Sequence, residues 1–116
     1  MTLLNEWSVL QSNQPIASDI LIVPHHGSQT SSSRKFIEGV HPQLAIASLA
    51  KNNRWHLPNQ NIVQRYHSLG IQWLDTGDSG QVSLIFRNKS QFIQINRQRL
   101  NAFSAWYRQM LRKRVE

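Results

Sequence analysis

The sequence contains no cysteine. That excludes a disulfide framework, a thiolate zinc site and a cysteine nucleophile, so any metal falls to histidine, carboxylate or water. No apolar run approaches the ~20 residues that cross a bilayer, and the first segment, MTLLNEWSVLQSNQ, has neither a basic start nor an unbroken apolar stretch. Neither a membrane span nor a signal peptide is therefore expected. Internal repeats are absent, and the one low-complexity stretch, Ser28 to Ser33, is too brief to link two domains. With 116 residues, 40% hydrophobic and 16% charged, the composition is that of one small folding domain rather than a disordered tail.

Acidic residues are also scarce, six against thirteen Lys and Arg, for a net charge of +7. The imbalance is local. Residues 1 to 86 hold five basic and five acidic residues, whereas residues 87 to 116 hold eight basic ones and only Glu116. The excess forms a C-terminal patch able to attract phosphate or anionic headgroups.

The hydrophobic pattern predicts alternating elements. Leu3, Leu4, Trp7 and Leu10 recur at helical spacing. Ile20 to Val23 is a continuous β-branched-rich run, expected to be a central strand buried on both faces. Serines cap a helix carrying Phe36, Ile37 and Val40, and Leu44 to Leu49 reads as the next strand. Pro58 and Asn59 open a helix with Ile62, Val63, Tyr66 and Leu69 on one face and Gly70 at its left-handed end. Ile71 to Leu74 reads as a strand, Thr76 to Gly80 as a turn, and Val82, Leu84 and Phe86 alternate along a further strand that residues 91 to 95 pair back onto. Leu100, Phe103, Trp106, Tyr107, Met110 and Leu111 fall along one helical stripe, so residues 97 to 116 are expected to form a basic amphipathic helix after a domain of residues 1 to 96. The order indicates a layered α/β or α+β fold. Helices on one side of a small sheet leave its other face bare, which suits part of a larger sandwich.

Chemistry concentrates in Val23-Pro24-His25-His26-Gly27-Ser28. Adjacent imidazoles stand at the end of a predicted strand, where sites on α/β sheets form, and a neutral imidazole suits a divalent metal or general-base work. Side chains alternate along a strand, so the two rings are not expected to grip one ion equivalently. The alternative is a histidine pair hydrogen-bonded at a strand end. Ser28, Thr30 and Ser31 with Arg34 are candidates to hold phosphate at a helix start, or to act as a capping loop. Lys51, Asn53, Arg54 and Trp55 combine basic, polar and aromatic groups suited to stacking on a single-stranded base; Trp55 is equally an apolar filler. His41, His56 and His67 have ordinary structural accounts.

Ser18 to Ser32 resembles the "ADVLKVPHHGSKTSS" stretch of the metallo-β-lactamase-fold domain at the C-terminus of the ComEC family, competence proteins that conduct transforming DNA across the inner membrane. Ala45 to Ser48 with Lys51-Asn52-Asn53-Arg54-Trp55, then Pro58 to Ile71, and Asp75 to Val82 continue the likeness in order over about residues 16 to 86. The resemblance implies the second half of an αββα sandwich, with a mixed sheet flanked by helices. It also implies a metal-dependent phosphodiesterase that binds zinc or manganese. Of the ligands this implies, His25 or His26 matches the late histidine. No His-x-His-x-Asp-His motif is present, and Thr76-Gly77-Asp78 follows the paired histidines rather than preceding them, so it does not match the bridging Asp. Leu57 stands where many relatives carry a polar histidine. The expectation is a C-terminal fragment of a ComEC-like protein in DNA uptake, inactive by itself and without tight metal binding. Its implied partners are single-stranded DNA, the first half of the domain and an inner-membrane channel; the isolated chain is expected to be soluble. The alternatives are a non-catalytic nucleic-acid-binding module or a truncated remnant.

Overall fold

A computed structural model of the chain describes residues 3–12, 16–98 and 107–114. The predicted first helix is α1, Leu3–Gln11, and it leads to β1, Ile20–Ile22, and a 3₁₀ turn at Pro24–Gly27. Helix α2, Arg34–Val40, begins where the Ser33 hydroxyl accepts the Phe36 amide at 3.2 Å, an N-cap that satisfies an orphan donor. It is followed by β2, Leu44–Ala47. Asn59 caps α3, Gln60–Ser68, accepting the Asn61 amide at 2.9 Å, and Gly70 follows at φ 75° as the left-handed terminator. Strand β3, Gln72–Asp75, runs into a single helical turn, α4, Thr76–Ser79, where a simple turn was expected. Strands β4, Val82–Phe86, β5, Phe92–Arg97, and β6, Tyr107–Arg112, complete the described chain.

The fold is α+β, with two three-stranded sheets. The first is parallel in the order β1-β2-β3, with Ile22 opposite Ile46 and Ile46 opposite Leu74. The second is antiparallel in the order β4-β5-β6, with Leu84 opposite Ile95 and Ile93 opposite Leu111. Strand alternation distributes the core. Leu44, Ile46 and Leu74 face the second sheet and pack with Ile93 and Ile95, joined by Ile20, Val82, Leu84 and Leu111. Ala45 and Ala47 face the other way, toward Ile37 of α2 and Ile62 and Tyr66 of α3. The layers are therefore helices, parallel sheet, antiparallel sheet.

Two expectations are corrected. The strand buried on both faces is β2, all four of whose residues are buried, not β1. β1 pairs along one side only among the described residues, and its Ile22 is 61% exposed. The helix expected over 97–116 is also replaced where that segment is described: Arg97 ends β5, and Tyr107–Arg112 form β6 along it. Residues 107 to 112 satisfy a period of two as readily as a helical stripe, and the edge of β5 offers backbone partners that decide between them. Leu111 turns inward while Met110 is exposed. Leu100, Phe103 and Trp106 of the predicted stripe lie outside the described residues.

One buried polar cluster joins the helices to the turn after β1. Glu6, fully buried on α1, accepts hydrogen bonds from the Ser32 amide and, at 2.8 Å, from the Ser33 amide. Ser32 takes the left-handed conformation, φ 60°, and every polar group it has is engaged. Its hydroxyl pairs with the Tyr66 hydroxyl at 2.9 Å, and its carbonyl accepts from Arg65 Nη1 at 2.7 Å. A left-handed serine is unfavourable by about 1–2 kcal/mol; three side chains from α1 and α3 hold it there.

Replacing Glu6 by Ala is expected to destabilise the chain by about 3 kcal/mol, since two buried amides lose a charged acceptor; the urea midpoint checks it. Burial pushes the Tyr66 hydroxyl up to about 12, with the Glu6 charge adding to the rise and the Ser32 hydrogen bond opposing it. A folded value above the unfolded one near 10 means that the native chain holds its proton longer. The associated stability is present below pH ~10 and is lost as pH rises toward ~12, a fall of about 2–3 kcal/mol. Denaturant titrations across that range should show the fall in the native sequence and a flatter profile in Tyr66→Phe.

Candidate functional site

All three parallel strands deliver their carboxyl ends to one edge, the place where ligands bind on such sheets. After β1 come His25 and His26; after β2, Ser48 and a loop of residues 50–57; after β3, Asp75 and α4. The alternation expected of the two histidines does not apply, because the strand has already ended at Ile22. His25, His26 and Gly27 take positive φ in succession, 49°, 54° and 85°, so the chain coils outward and leaves both imidazoles exposed.

Their environments differ. Nδ1 of His26 donates to the Ser48 carbonyl at the end of β2. A carbonyl only accepts, so the proton sits on Nδ1 and the neutral ring keeps its lone pair on Nε2. Ligating imidazoles are commonly oriented by just such a carbonyl bond from their other nitrogen. His25 has only a 3.4 Å contact between Nδ1 and the Thr30 hydroxyl. Of the pair, His26 is the oriented ring.

Gly27 is what brings the turn down onto the neighbouring loop. Its carbonyl accepts the Asn59 amide at 2.9 Å, and a Cβ built on it lies 2.8 Å from Pro58 Cβ and 3.3 Å from the Trp73 ring. No side chain fits there.

The serine-rich stretch is largely engaged in hydrogen bonds within the chain. The Ser32 and Ser33 amides at the start of α2 already hold an anion, the carboxylate of Glu6. Ser31 is buried with its hydroxyl on the Pro24 carbonyl at 2.9 Å. Ser28 and Thr30 bond to each other at 3.0 Å, and Arg34 pairs with Glu38 at 3.2 Å on the exposed face of α2.

The second candidate group divides. The Asn53 amide is engaged in closing its own loop, donating to the Ala50 and Leu57 carbonyls and accepting the Leu57 amide at 2.9 Å. Trp55 is 66% exposed with the Arg54 guanidinium 4.5 Å from its ring centre. Together with His26, Ser48, Leu49, Ala50, Asn53 and Leu57, Trp55 lines a pocket of about 170 Å³. Lys51 lines instead a cavity of about 400 Å³ bounded by His67, Trp73, Asp75 and Asp78. Asp75 is buried and organises that end of β3, accepting from Trp73 Nε1 at 3.1 Å and from the Asp78 amide at 2.9 Å.

A metal centre requires several converging ligands. Among the described residues no group of three or more His, Asp or Glu side chains is placed to hold an ion. The exposed Nε2 of His26 fits as a single ligand, and no complete site is formed by these residues.

Three contributors went unrecognised in the sequence: Glu6, the Ser48 carbonyl and Asp75. Only Glu6 left a signal, a carboxylate at the helical spacing of Leu3, Trp7 and Leu10, on what reads as an apolar stripe. Substituting Gly27 by Ala imposes a left-handed strain and a backbone-side clash together, and is expected to destabilise the chain by about 2–4 kcal/mol. Urea unfolding measures the loss, and a shift of the His26 ring resonances reports the displaced turn.

Comparison with known proteins adds kinship. The chain is 38% identical over 96 residues to the uncharacterized protein YcaI of Escherichia coli K12, which covers 83% of this chain and 12% of that protein. It is 36% identical over 84 residues to ComE operon protein 3 of Bacillus subtilis, covering 72% of this chain and 11% of that protein. It is 36% identical over 93 residues to Recombination protein 2 of Haemophilus influenzae, covering 80% of this chain and 11% of that protein. The chain thus spans about a tenth of the length of the curated relatives it matches. No protein-family model matches it, and no solved structure matches it. The chain is homologous to one segment of the competence proteins grouped as the ComEC family.

Proposed function

We propose that this chain is a DNA-handling segment of a competence protein, corresponding to the second half of a metallo-β-lactamase sandwich, in which His26 supplies one corner of a phosphodiesterase centre. The observation that carries the reading is the identity shared with ComE operon protein 3 and Recombination protein 2 over most of the chain. The packing of helices on one side of the parallel sheet and a second sheet on the other supports it. In the intact centre a divalent ion, zinc or manganese, would supply water activation and charge stabilisation at the phosphate. The part played by these residues is narrower: the Ser48 carbonyl holds the His26 ring through Nδ1, which leaves Nε2 as the nitrogen that would meet the ion. The remaining ligands come from outside the described residues, and the isolated chain neither binds the ion tightly nor hydrolyses DNA.

Manganese titration followed by NMR tests the assignment. Paramagnetic broadening is expected first at the His26 ring, in the millimolar range suited to a single imidazole, and to vanish from that edge in His26→Ala. Broadening centred on His25 or His67 and unchanged in His26→Ala would remove His26 from the centre.

Exposed Arg108 and Arg112 on β6, with exposed Arg87 just beyond β4, favour nucleic-acid binding there as well. Affinity for a single-stranded oligonucleotide is then expected to fall steeply with salt. Glutamine at Arg108 and Arg112 should reduce the log–log slope by about 0.7 for each phosphate that is no longer neutralised. A slope near zero in the unsubstituted chain would eliminate this surface.

A further inference from the structure

The Trp55 pocket has features that a purely structural loop does not require. A large aromatic ring is left 66% exposed beside a hollow lined by Leu49, Ala50 and Leu57. Loop 50–57 is nonetheless held in one shape: the Asn53 side chain bonds to Ala50 and Leu57 from inside, and the His56 amide donates to the Asn53 carbonyl at 3.1 Å. The indole is therefore presented on a rigid platform rather than on a loose tip. Its partner is cationic, with the Arg54 guanidinium 4.5 Å from the ring centre. The hollow beside it, about 170 Å³, is predominantly apolar in its lining, with Leu49, Ala50 and Leu57 beside the indole and His26, Ser48 and Asn53 completing its wall.

We infer that this pocket receives one unstacked nucleobase of a single-stranded nucleic acid and thereby positions the adjoining phosphate at His26. The inference rests on the DNA-handling reading above and goes beyond it by assigning a base subsite. Each component has a role. A base offers a flat π-face to Trp55, as aromatic platforms in single-strand binders require. Arg54 supplies positive charge for the backbone and a cation–π partner for the ring. The hollow takes one ring system and not a base pair, so duplex DNA enters only where an end has frayed. The Asn53 amide and the Ser48 carbonyl are already engaged, and the predominantly apolar lining gives few groups to read a base edge, so the subsite is expected to accept purines and pyrimidines alike.

The test compares a fluorescein-labelled dT oligonucleotide with an oligonucleotide of equal length made of abasic sites, by anisotropy, on the full chain. The two probes carry the same phosphates and differ only in the bases. The unsubstituted chain is expected to bind the dT probe about 5- to 100-fold more tightly, and a dA probe within a few-fold of dT. Trp55→Ala should erase the preference for the dT over the abasic probe, and Trp55→Phe should retain most of it. Equal binding of dT and abasic probes, or a preference that survives Trp55→Ala, overturns the base subsite and leaves the phosphate-binding reading standing. Failure of the unsubstituted chain to bind either probe overturns both.

Discussion

The structure depends on a carboxylate placed where the helix α2 has its unsatisfied amides. Glu6 approaches from α1, is buried completely and accepts the Ser32 and Ser33 amides. A buried charge is tolerable only when hydrogen-bonded on its own oxygens, and here the positive end of α2 supplies that partner. The consequence spreads outward. With its amide held by Glu6, Ser32 stays left-handed and gives its hydroxyl to Tyr66 and its carbonyl to Arg65. The segment from Pro24 to Ser33 is thereby tied to α1 and α3, and the paired histidines project from a turn whose far end is immobilised.

The same constraint fills the start of α2. A serine-rich loop before a helix invites an anion, and the anion that occupies it belongs to the chain itself. Among the polar and aromatic groups left exposed along the sheet edge are His26, Arg54 and Trp55. Two independent interactions converge there: the Ser48 carbonyl orients the His26 ring, and Gly27 docks the turn against Pro58 closely enough to exclude any side chain. The edge is built by three strand ends and two loops that are adjacent only after folding.

Much of the architecture was legible because local chemistry and tertiary packing agree. Asn59 and Gly70 bracket α3 as capping rules require, and Ser33 starts α2. Where a segment satisfied two periodicities, the sequence was silent on which would win. Residues 107 to 112 fit a helical stripe, and the backbone partners along β5 made them a strand. Ile20 to Val23 looked doubly buried by composition, yet composition carries no information on sheet order, and the alternation of Leu44, Ala45, Ile46 and Ala47 concealed the strand that is covered on both sides. At the site, the histidine pair was visible as residue types. Its left-handed backbone and the carbonyl that orients one ring were not: the φ values are not written in residue types, and the carbonyl belongs to a residue twenty-two positions away.

That concealed strand is asymmetric. β2 shows alanines to the helices and branched aliphatics to the second sheet, so the helical layer packs on methyl groups where larger side chains would hold it farther off. Growth at Ala45 or Ala47 pushes on Ile37 and Tyr66, and through Tyr66 on the hydroxyl pair that anchors the histidine turn. Drift at Leu44 or Ile46 is absorbed among other aliphatic side chains of similar volume. Two methyl groups at the centre of the sheet thus couple its interior spacing to the geometry of its rim.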